Sequence, residues 1–126
     1  MADWSLFRSR RWRDVTALLD SAVVASASGV MVRRVEDRIE WEVGSLRLAM
    51  GAGIILPWGS LPPGYRPTTS RYRMLPASTG GGCEVTINTG GGLVINGGAA
   101  STTYRGGFSV ATTAPHPSTH PGTEVT

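Results

Sequence analysis

The chain has 126 residues, which suffice for one domain with a modest core and not for two. A hydrophobic content of 40% argues against global disorder, and the longest nearly apolar run, residues 48–58, is about half as long as a membrane-spanning helix must be. The net charge of +3 comes from twelve basic residues that are all arginine, and the single cysteine, Cys83, excludes an intrachain disulfide or a zinc cluster built from one chain.

Glycine and proline are unusually frequent in this chain. Together they occupy 25 positions, which is about 20% of the chain against a usual share of roughly 12%. This excess favours many short strands joined by turns. The N-terminus carries arginines but no apolar segment behind them and no signal cleavage pattern, so we expect cytoplasmic synthesis and no membrane insertion.

The first eleven residues combine large apolar side chains with basic ones. Asp3 can cap a short helix that places Trp4, Phe7, Arg8 and Arg11 on neighbouring faces. Because so short a helix is marginal alone, we predict an arm that anchors the domain to a neighbouring protein; a solvated basic arm is the alternative. Nucleic-acid binding is disfavoured, since the arginines come without a recognised binding module.

Period-two alternation begins at Trp12 and predicts a strand over residues 12–19, whereas residues 22–29 are a weaker strand or a loop. Residues 30–35 and 38–43 then alternate on either side of a turn at Glu36 and Asp37, which predicts a hairpin. Glu40 and Glu42 fall on its polar side beside arginines. We therefore interpret them as a solvated strand face and not as the carboxylate pair of a glycosidase.

The middle of the chain is dense in turn residues. Glycine and serine at 44–45 predict a turn into a strand over residues 46–50, and residues 54–56 follow as a short buried strand. Three prolines within residues 61–67 exclude a helix and predict a rigid corner. In that corner Pro62 and Gly64 shape the turn, Tyr65 packs its ring, and Arg66 binds loop carbonyls.

The second half contains a near-repeat. Residues 70–75 alternate arginine with tyrosine and methionine and predict a strand, after which two triple glycines each precede a β-rich run. These runs, 83–88 and 93–98, predict a hairpin whose loop lies at residues 89–92. Neither triple glycine suits a phosphate, because the chain has no lysine for a P-loop and β-branched residues follow where a dinucleotide fold needs a helix. Residues 104–112 predict the last strand, and residues 114–126 an exposed tail of polyproline character.

Catalytic groups do not converge in this sequence. His116 and His120 are the only histidines, and Pro117 between them forbids the helical spacing of a metal pair. No Ser-His-Asp or Cys-His arrangement is evident. We expect no enzyme activity, no metal site and no cofactor, although a threefold axis could gather copies of one histidine around an ion.

Binding is easier to support than catalysis. Trp58, Tyr72 and Tyr104 lie near turns or on strands with arginine neighbours, and aromatic faces flanked by polar donors suit sugars and protein partners alike. These three residues are the predicted ligand-binding set for a glycan or a protein partner. Burial in the core is the alternative for each.

The corner sequence L-P-P-G-Y-R-P at residues 61–67 resembles a motif in the C-terminal β-domains of bacteriophage minor tail and tail-fibre proteins, as in actinobacteriophages. Residues 12–16 resemble the opening strand of such domains, and residues 30–43 resemble their first hairpin. With the glycine-spaced hairpin and the last strand, the likeness covers roughly residues 12–113. It implies a homotrimeric virion protein at the tail tip or fibre knob that takes part in host attachment.

These observations predict an all-β, jelly-roll-like sandwich of about eight strands that is completed by trimerisation. We expect an anchoring arm at residues 1–11, the sandwich at 12–113 and a tail at 114–126. Expected partners are copies of the chain, other virion proteins and a host cell-surface glycan, and the expected location is the virion after synthesis in the host cytoplasm. Because only eleven residues precede the domain, a capsid-decorating protein is an alternative; a free-standing carbohydrate-binding module and a depolymerase are the others.

Overall fold

Alternating apolar positions become the strands of two antiparallel sheets in the computed structural model, which describes residues 10–125. The strands are β1 (Arg13–Asp14), β2 (Val24–Val35), β3 (Arg38–Leu48), β4 (Gly53–Leu56), β5 (Arg71–Pro76), β6 (Gly82–Ile87), β7 (Leu93–Asn96), β8 (Thr103–Ala111) and β9 (Thr123–Glu124). Two short 3₁₀ turns lie at Thr16–Leu18 and Pro63–Tyr65.

The first sheet has five strands in the order β8-β3-β2-β1-β9, and the second has four in the order β4-β7-β6-β5. In the second sheet three consecutive hairpin strands are joined by a fourth that lies beside the last of them, which is the Greek-key arrangement. The predicted all-β sandwich is therefore confirmed. Two of the nine strands contain only two residues each.

The core lies between the two sheets and is filled by every second residue of the longer strands. Its largest fully buried side chains include Trp41, Tyr65, Ile39, Leu46 and Leu48. The Nε1 of Trp41 is the only buried side-chain nitrogen or oxygen of residues 10–125 without a hydrogen-bond partner. We expect the area that this ring buries to offset the unmade bond.

The β2–β3 hairpin turns at the predicted place. Val35 pairs with Arg38, so Glu36 and Asp37 alone make the turn, and Glu36 takes a positive φ of 54°. A positive φ at the first position is what a type II′ turn requires. The predicted turn at residues 44–45 is wrong, because β3 runs on to Leu48 and its pairing with β8 only shifts register between Val43 and Leu46.

The strand predicted over residues 12–19 is wrong beyond Asp14. The carboxylate of Asp14 accepts a hydrogen bond from the Thr16 amide at 2.9 Å, and a 3₁₀ turn follows at once. Val15 is fully buried while Leu18 is exposed. A local side-chain acceptor therefore ends the strand although the apolar alternation of the sequence continues.

The segment predicted as an exposed tail is packed on the sandwich. β9 pairs with β1 and so forms the edge of the first sheet, and the Arg13 guanidinium donates to the carbonyls of Pro121 and Gly122 at 2.9 and 3.2 Å. Pro117 and Pro121 are buried. The prolines serve here as apolar groups that cover the corner.

Arg34 joins three distant parts of the chain. It is 3% exposed, and its guanidinium donates to the carbonyls of Gly64 at 2.7 Å, Ala114 at 2.8 Å and Pro115 at 3.4 Å, and to the carbonyl of Glu36. Burial lowers the pKa of Arg34, with Asp37 and Tyr65 acting in the opposite direction. The carbonyls replace the water that a buried guanidinium loses.

The proline corner is held by its own side chains. Tyr65 and Arg66 donate their amides to the carbonyls of Pro62 and Pro63, and the Arg66 guanidinium donates to the Leu61 carbonyl at 2.8 Å. The fully buried Tyr65 ring places its hydroxyl 2.7 Å from Nδ1 of His120. His120 is consequently part of the corner's packing and not a residue of an exposed tail.

Alkaline pH is expected to destabilise the fold through Tyr65. Burial raises the pKa of Tyr65 to about 12, with Arg13 and Arg34 opposing the shift. The unfolded tyrosine loses its proton near its ordinary pKa of about 10. Below that pH the buried, protonated Tyr65 therefore contributes its full stabilisation to the fold. This stabilisation is lost as the pH rises from about 10 to about 12, by about 3 kcal/mol in total.

Urea unfolding across this pH range tests the expectation. Tyr65→Phe should give a flatter decline than the native chain, although part remains because burial also raises the pKa of Cys83 to about 11. An unchanged pH dependence in Tyr65→Phe would contradict the assignment.

Candidate binding surface

The outward side of the second sheet carries a row of aligned side chains. Tyr72 of β5 pairs with Thr86 of β6, Thr86 with Val94 of β7, and Val94 with Ile54 of β4. Paired residues of neighbouring strands project on the same side of a sheet. The intervening residues of β6 and β7 are buried, so the row faces away from the first sheet.

This row and the adjacent Met74 form an outer apolar face, defined by Ile54, Tyr72, Met74, Thr86 and Val94. Tyr72 and Met74 are each 64% exposed, and Ile54 is 51% exposed. Three of the large exposed hydrophobic side chains of the described chain thus share one sheet face. Contiguous apolar surface of this kind marks a place where a protein binds something else.

Trp58 lies just beyond β4 and packs its indole against a glycine. A Cβ atom at Gly90 would come within 1.7 Å of Cε2 of the Trp58 ring, so the indole lies directly on this glycine. The Gly59 amide donates to the Gly90 carbonyl at 2.8 Å and so holds the backbone beside Trp58 against Gly90. With 68% of its surface exposed, Trp58 is a rigid aromatic platform, and the second triple glycine therefore serves packing.

Tyr104, the third predicted ligand-binding residue, is not available to a ligand. It is only 2% exposed, because its position on β8 pairs with Leu46 and so faces the core. Its hydroxyl accepts a hydrogen bond from the Ala99 amide at 2.8 Å. We correct its assignment to a core residue that also holds the loop before β8.

The predicted anchoring residues lie mostly outside the described part of the chain. Trp4, Phe7 and Arg8 precede residue 10, so their roles stay predictions. Arg11 is exposed, and its Nε lies 3.9 Å from Glu124. An exposed pair of this kind contributes little to stability, which leaves Arg11 able to contact a partner.

In the part of the chain that the structure describes, groups with catalytic or metal-binding potential lie apart from one another. Within residues 10–125 no three histidine, cysteine or acidic side chains stand close enough to hold a metal ion. Cys83 is buried in β6, and burial raises its pKa to about 11, so its thiol is protonated near neutral pH. Glu40 is paired with Arg33 on the outward side of the first sheet at 2.6 Å.

Sequence reasoning singled out Trp58 and Tyr72 and missed Ile54 and Met74, the other strongly exposed members of this surface. Their signal was present in the period of two, since residues 72 and 74 lie on one side of a strand. The sequence does not show that β4 lies across the sheet, so Ile54 could not be added to the same face. Only the strand order brings it into line with Tyr72.

Comparisons with known proteins add no relative to the interpretation of this surface. No family model matches the chain, and no curated protein is significantly similar to it. Among residues 10–125 there is also no helix with the length and apolar character that a membrane span requires.

Proposed function

We propose that this chain is a bacteriophage virion protein, a β-sandwich knob of the tail tip or fibre that takes part in host attachment and assembles as a homotrimer. The outer apolar face is the observation that carries the proposal, because Ile54, Tyr72 and Met74 are large apolar side chains exposed together on one sheet face, as at a protein contact. The sequence of the proline corner, which resembles that of phage tail domains, supports the same reading.

The partner that this face suits best is another protein surface. Its defining residues carry no charge, and the one acidic side chain beside them, Glu84, pairs with Met74 at the margin. Charged residues are depleted at the centres of interfaces while aromatic residues and methionine are enriched. A four-stranded sheet face of this length covers about 400 Å², and a standard interface buries roughly 800 Å² on each partner. The face therefore supplies the centre of an interface whose remainder comes from flanking residues such as Trp58.

Solution mass measured by light scattering tests the assembly. We expect a species of about three times the 13.3 kDa chain mass that persists in high salt, because apolar burial is not screened. The double variant Tyr72→Ser/Met74→Ser should dissociate to monomers. Leu18→Ser, which removes an exposed apolar side chain elsewhere, is the matched control and should remain trimeric. A native chain that is monomeric at every concentration would overturn the trimer.

Virion membership needs its own measurement. Mass spectrometry of gradient-purified phage particles should detect peptides of this chain in a constant ratio to the major structural proteins. A chain that is made during infection but is missing from the particles would refute the proposal. Peptides that remain with emptied heads and not with tails would favour the capsid-decorating alternative.

A free-standing carbohydrate-binding module is the second candidate, and Trp58 favours it. An indole held flat against Gly90 with its remaining surface in solvent is a platform on which the apolar side of a sugar ring can pack. If the chain is a folded monomer that binds a glycan, and if the Trp58→Ala variant loses that binding, the chain would be assigned to this class.

A further inference from the structure

The outward side of the first sheet contains an open groove of about 320 Å³. Its walls include Trp12, Arg33, Glu40, Glu42, Gly107 and Ser109, and we call it the polar groove. It lies on the sheet opposite to the outer apolar face and combines aromatic, cationic and anionic groups, as small-molecule sites do.

The strand register explains why a groove forms there. Arg33 pairs with Glu40 and Glu40 with Ser109 in one row, while Glu42 pairs with Gly107 in the next. Gly107 has no side chain, so the second row is open at that point. A Cβ atom at Gly107 would lie 2.7 Å from Oε2 of Glu42, which places this carboxylate directly over the opening.

The polar side chains of the first row are held in place before any ligand arrives. The Arg33 guanidinium carbon lies 4.4 Å from the centre of the Trp12 ring, and its Nε donates to Glu40 at 2.6 Å. An arginine has five N–H groups, and the bond to Glu40 uses one of them. Arg33 can therefore donate to a ligand without giving up either neighbour.

Glu42 is the exposed carboxylate of the groove, open to solvent and to a ligand. Within residues 10–125 it has neither an ion pair nor a hydrogen bond, although its neighbour Glu40 has both. An ionised carboxylate only accepts hydrogen bonds and can take two at once. Two adjacent hydroxyl groups are a matched donor pair for it, and bonds to a charged acceptor are about twice as strong as neutral ones.

We propose that the polar groove binds one neutral hexopyranose unit of a cell-surface polysaccharide. Adjacent sugar hydroxyls donate to Glu42, a sugar oxygen accepts from Arg33, and the C–H side of the ring packs against Trp12. The volume is near the lower end of ligand sites, which begin at about 300 Å³, and so fits a single ring. This inference rests on the proposed attachment role but places sugar contact on the opposite sheet from Trp58 and Tyr72.

Ligand-observed NMR with the full chain tests the groove directly. The probes are glucose, galactose, mannose, rhamnose and N-acetylglucosamine, together with cationic glucosamine and anionic glucuronate. We expect saturation transfer to at least one neutral sugar. Glu42→Gln keeps the shape of the side chain and should weaken that binding by about tenfold or more, the equivalent of one hydrogen bond to a charged group.

Two further variants make the test specific. Gly107→Ala fills the opening and should weaken binding as well, because its Cβ meets the mobile end of Glu42 and lies 3.1 Å from the Trp41 carbonyl. Glu84→Gln, which changes a half-buried glutamate of β6 in the other sheet, is the matched control and should bind as the native chain does.

Three results would overturn the proposal: no transfer to any neutral sugar, transfer to glucosamine alone, which indicates a cation site, or binding that survives Glu42→Gln. Solution mass separates this outcome from the assembly proposal. A trimer that binds no sugar removes only the groove assignment, whereas a monomer that binds sugar in a Glu42-dependent way removes only the trimer.

Discussion

Arg34→Ala is expected to lower the free energy of unfolding by about 3–5 kcal/mol, because several hydrogen bonds from one charged group are lost together and each is worth about 1.5–3 kcal/mol at most. The guanidinium is the shared donor for carbonyls of the β2–β3 turn, the proline corner and the segment after β8. Without it the buried Gly64 carbonyl loses its donor where water does not replace it well, and the part-buried carbonyls of the other two segments lose the group that holds them together. For a domain of this size the midpoint of thermal unfolding should fall by about 10–20 °C.

Arg38→Ala is the matched control, because Arg38 lies on the same hairpin but is exposed and, within residues 10–125, donates only to the Ser109 hydroxyl. Its effect should stay below about 1 kcal/mol. Arg34→Lys should recover only part of the loss, since one ammonium group cannot reach carbonyls on three segments. If the free energy of unfolding of Arg34→Ala lay within about 1 kcal/mol of the native value, roughly the control's effect, the junction of the three segments would not depend on this residue.

Gly64→Ala is expected to destabilise the chain by about 3 kcal/mol and to detach the segment after β8 first. A Cβ atom at Gly64 would lie 2.5 Å from Cβ of Pro117 and 2.6 Å from its Cα and N atoms. Backbone atoms cannot turn aside as the end of a flexible side chain can, so the two segments must separate. Chemical denaturation should record the loss, and limited digestion with a nonspecific protease should cut residues 114–125 earlier than in the native chain.

Pro63→Ala controls for a change within the same corner, since Pro63 is exposed. It should reduce stability by less than about 1 kcal/mol, mostly through the greater freedom of the unfolded chain. If residues 114–125 resisted the protease equally well in Gly64→Ala and in the native chain, the close contact between Gly64 and Pro117 would not be what holds this segment in place.

The parts of the fold that the sequence predicts are those governed by neighbours in the chain. The β2–β3 hairpin and the β6–β7 hairpin each join adjacent segments, so a period of two with turn residues between is enough to find them. Packing of the segment after β8 is different. It depends on Arg34 and Gly64, which contact it across about 50–80 positions of sequence, and proline-rich composition alone favours an extended exposed chain.

The candidate surface shows the same division. Residue type identifies aromatic groups that can bind a ligand, but it does not tell a surface position from a core position. Tyr72 and Tyr104 both sit on strands beside arginine, yet one pairs with Thr86 on the outside and the other with Leu46 on the inside. A shift of one residue in register exchanges the two sides of a strand, so this choice requires the pairing itself.

The short pairing of β1 with β9 has a mechanical consequence. Two residue pairs join these strands, Arg13 with Glu124 and Asp14 with Thr123, and the Val125 amide donates to the Trp12 carbonyl at 2.9 Å just beyond them. The chain enters β1 at the end where it leaves β9. Tension applied between residues 12 and 125 would open these pairs in succession, like a zipper, and not load them together in shear. An attachment that carries mechanical load should therefore be made through residue 12 or through residue 125, with no force applied to the other.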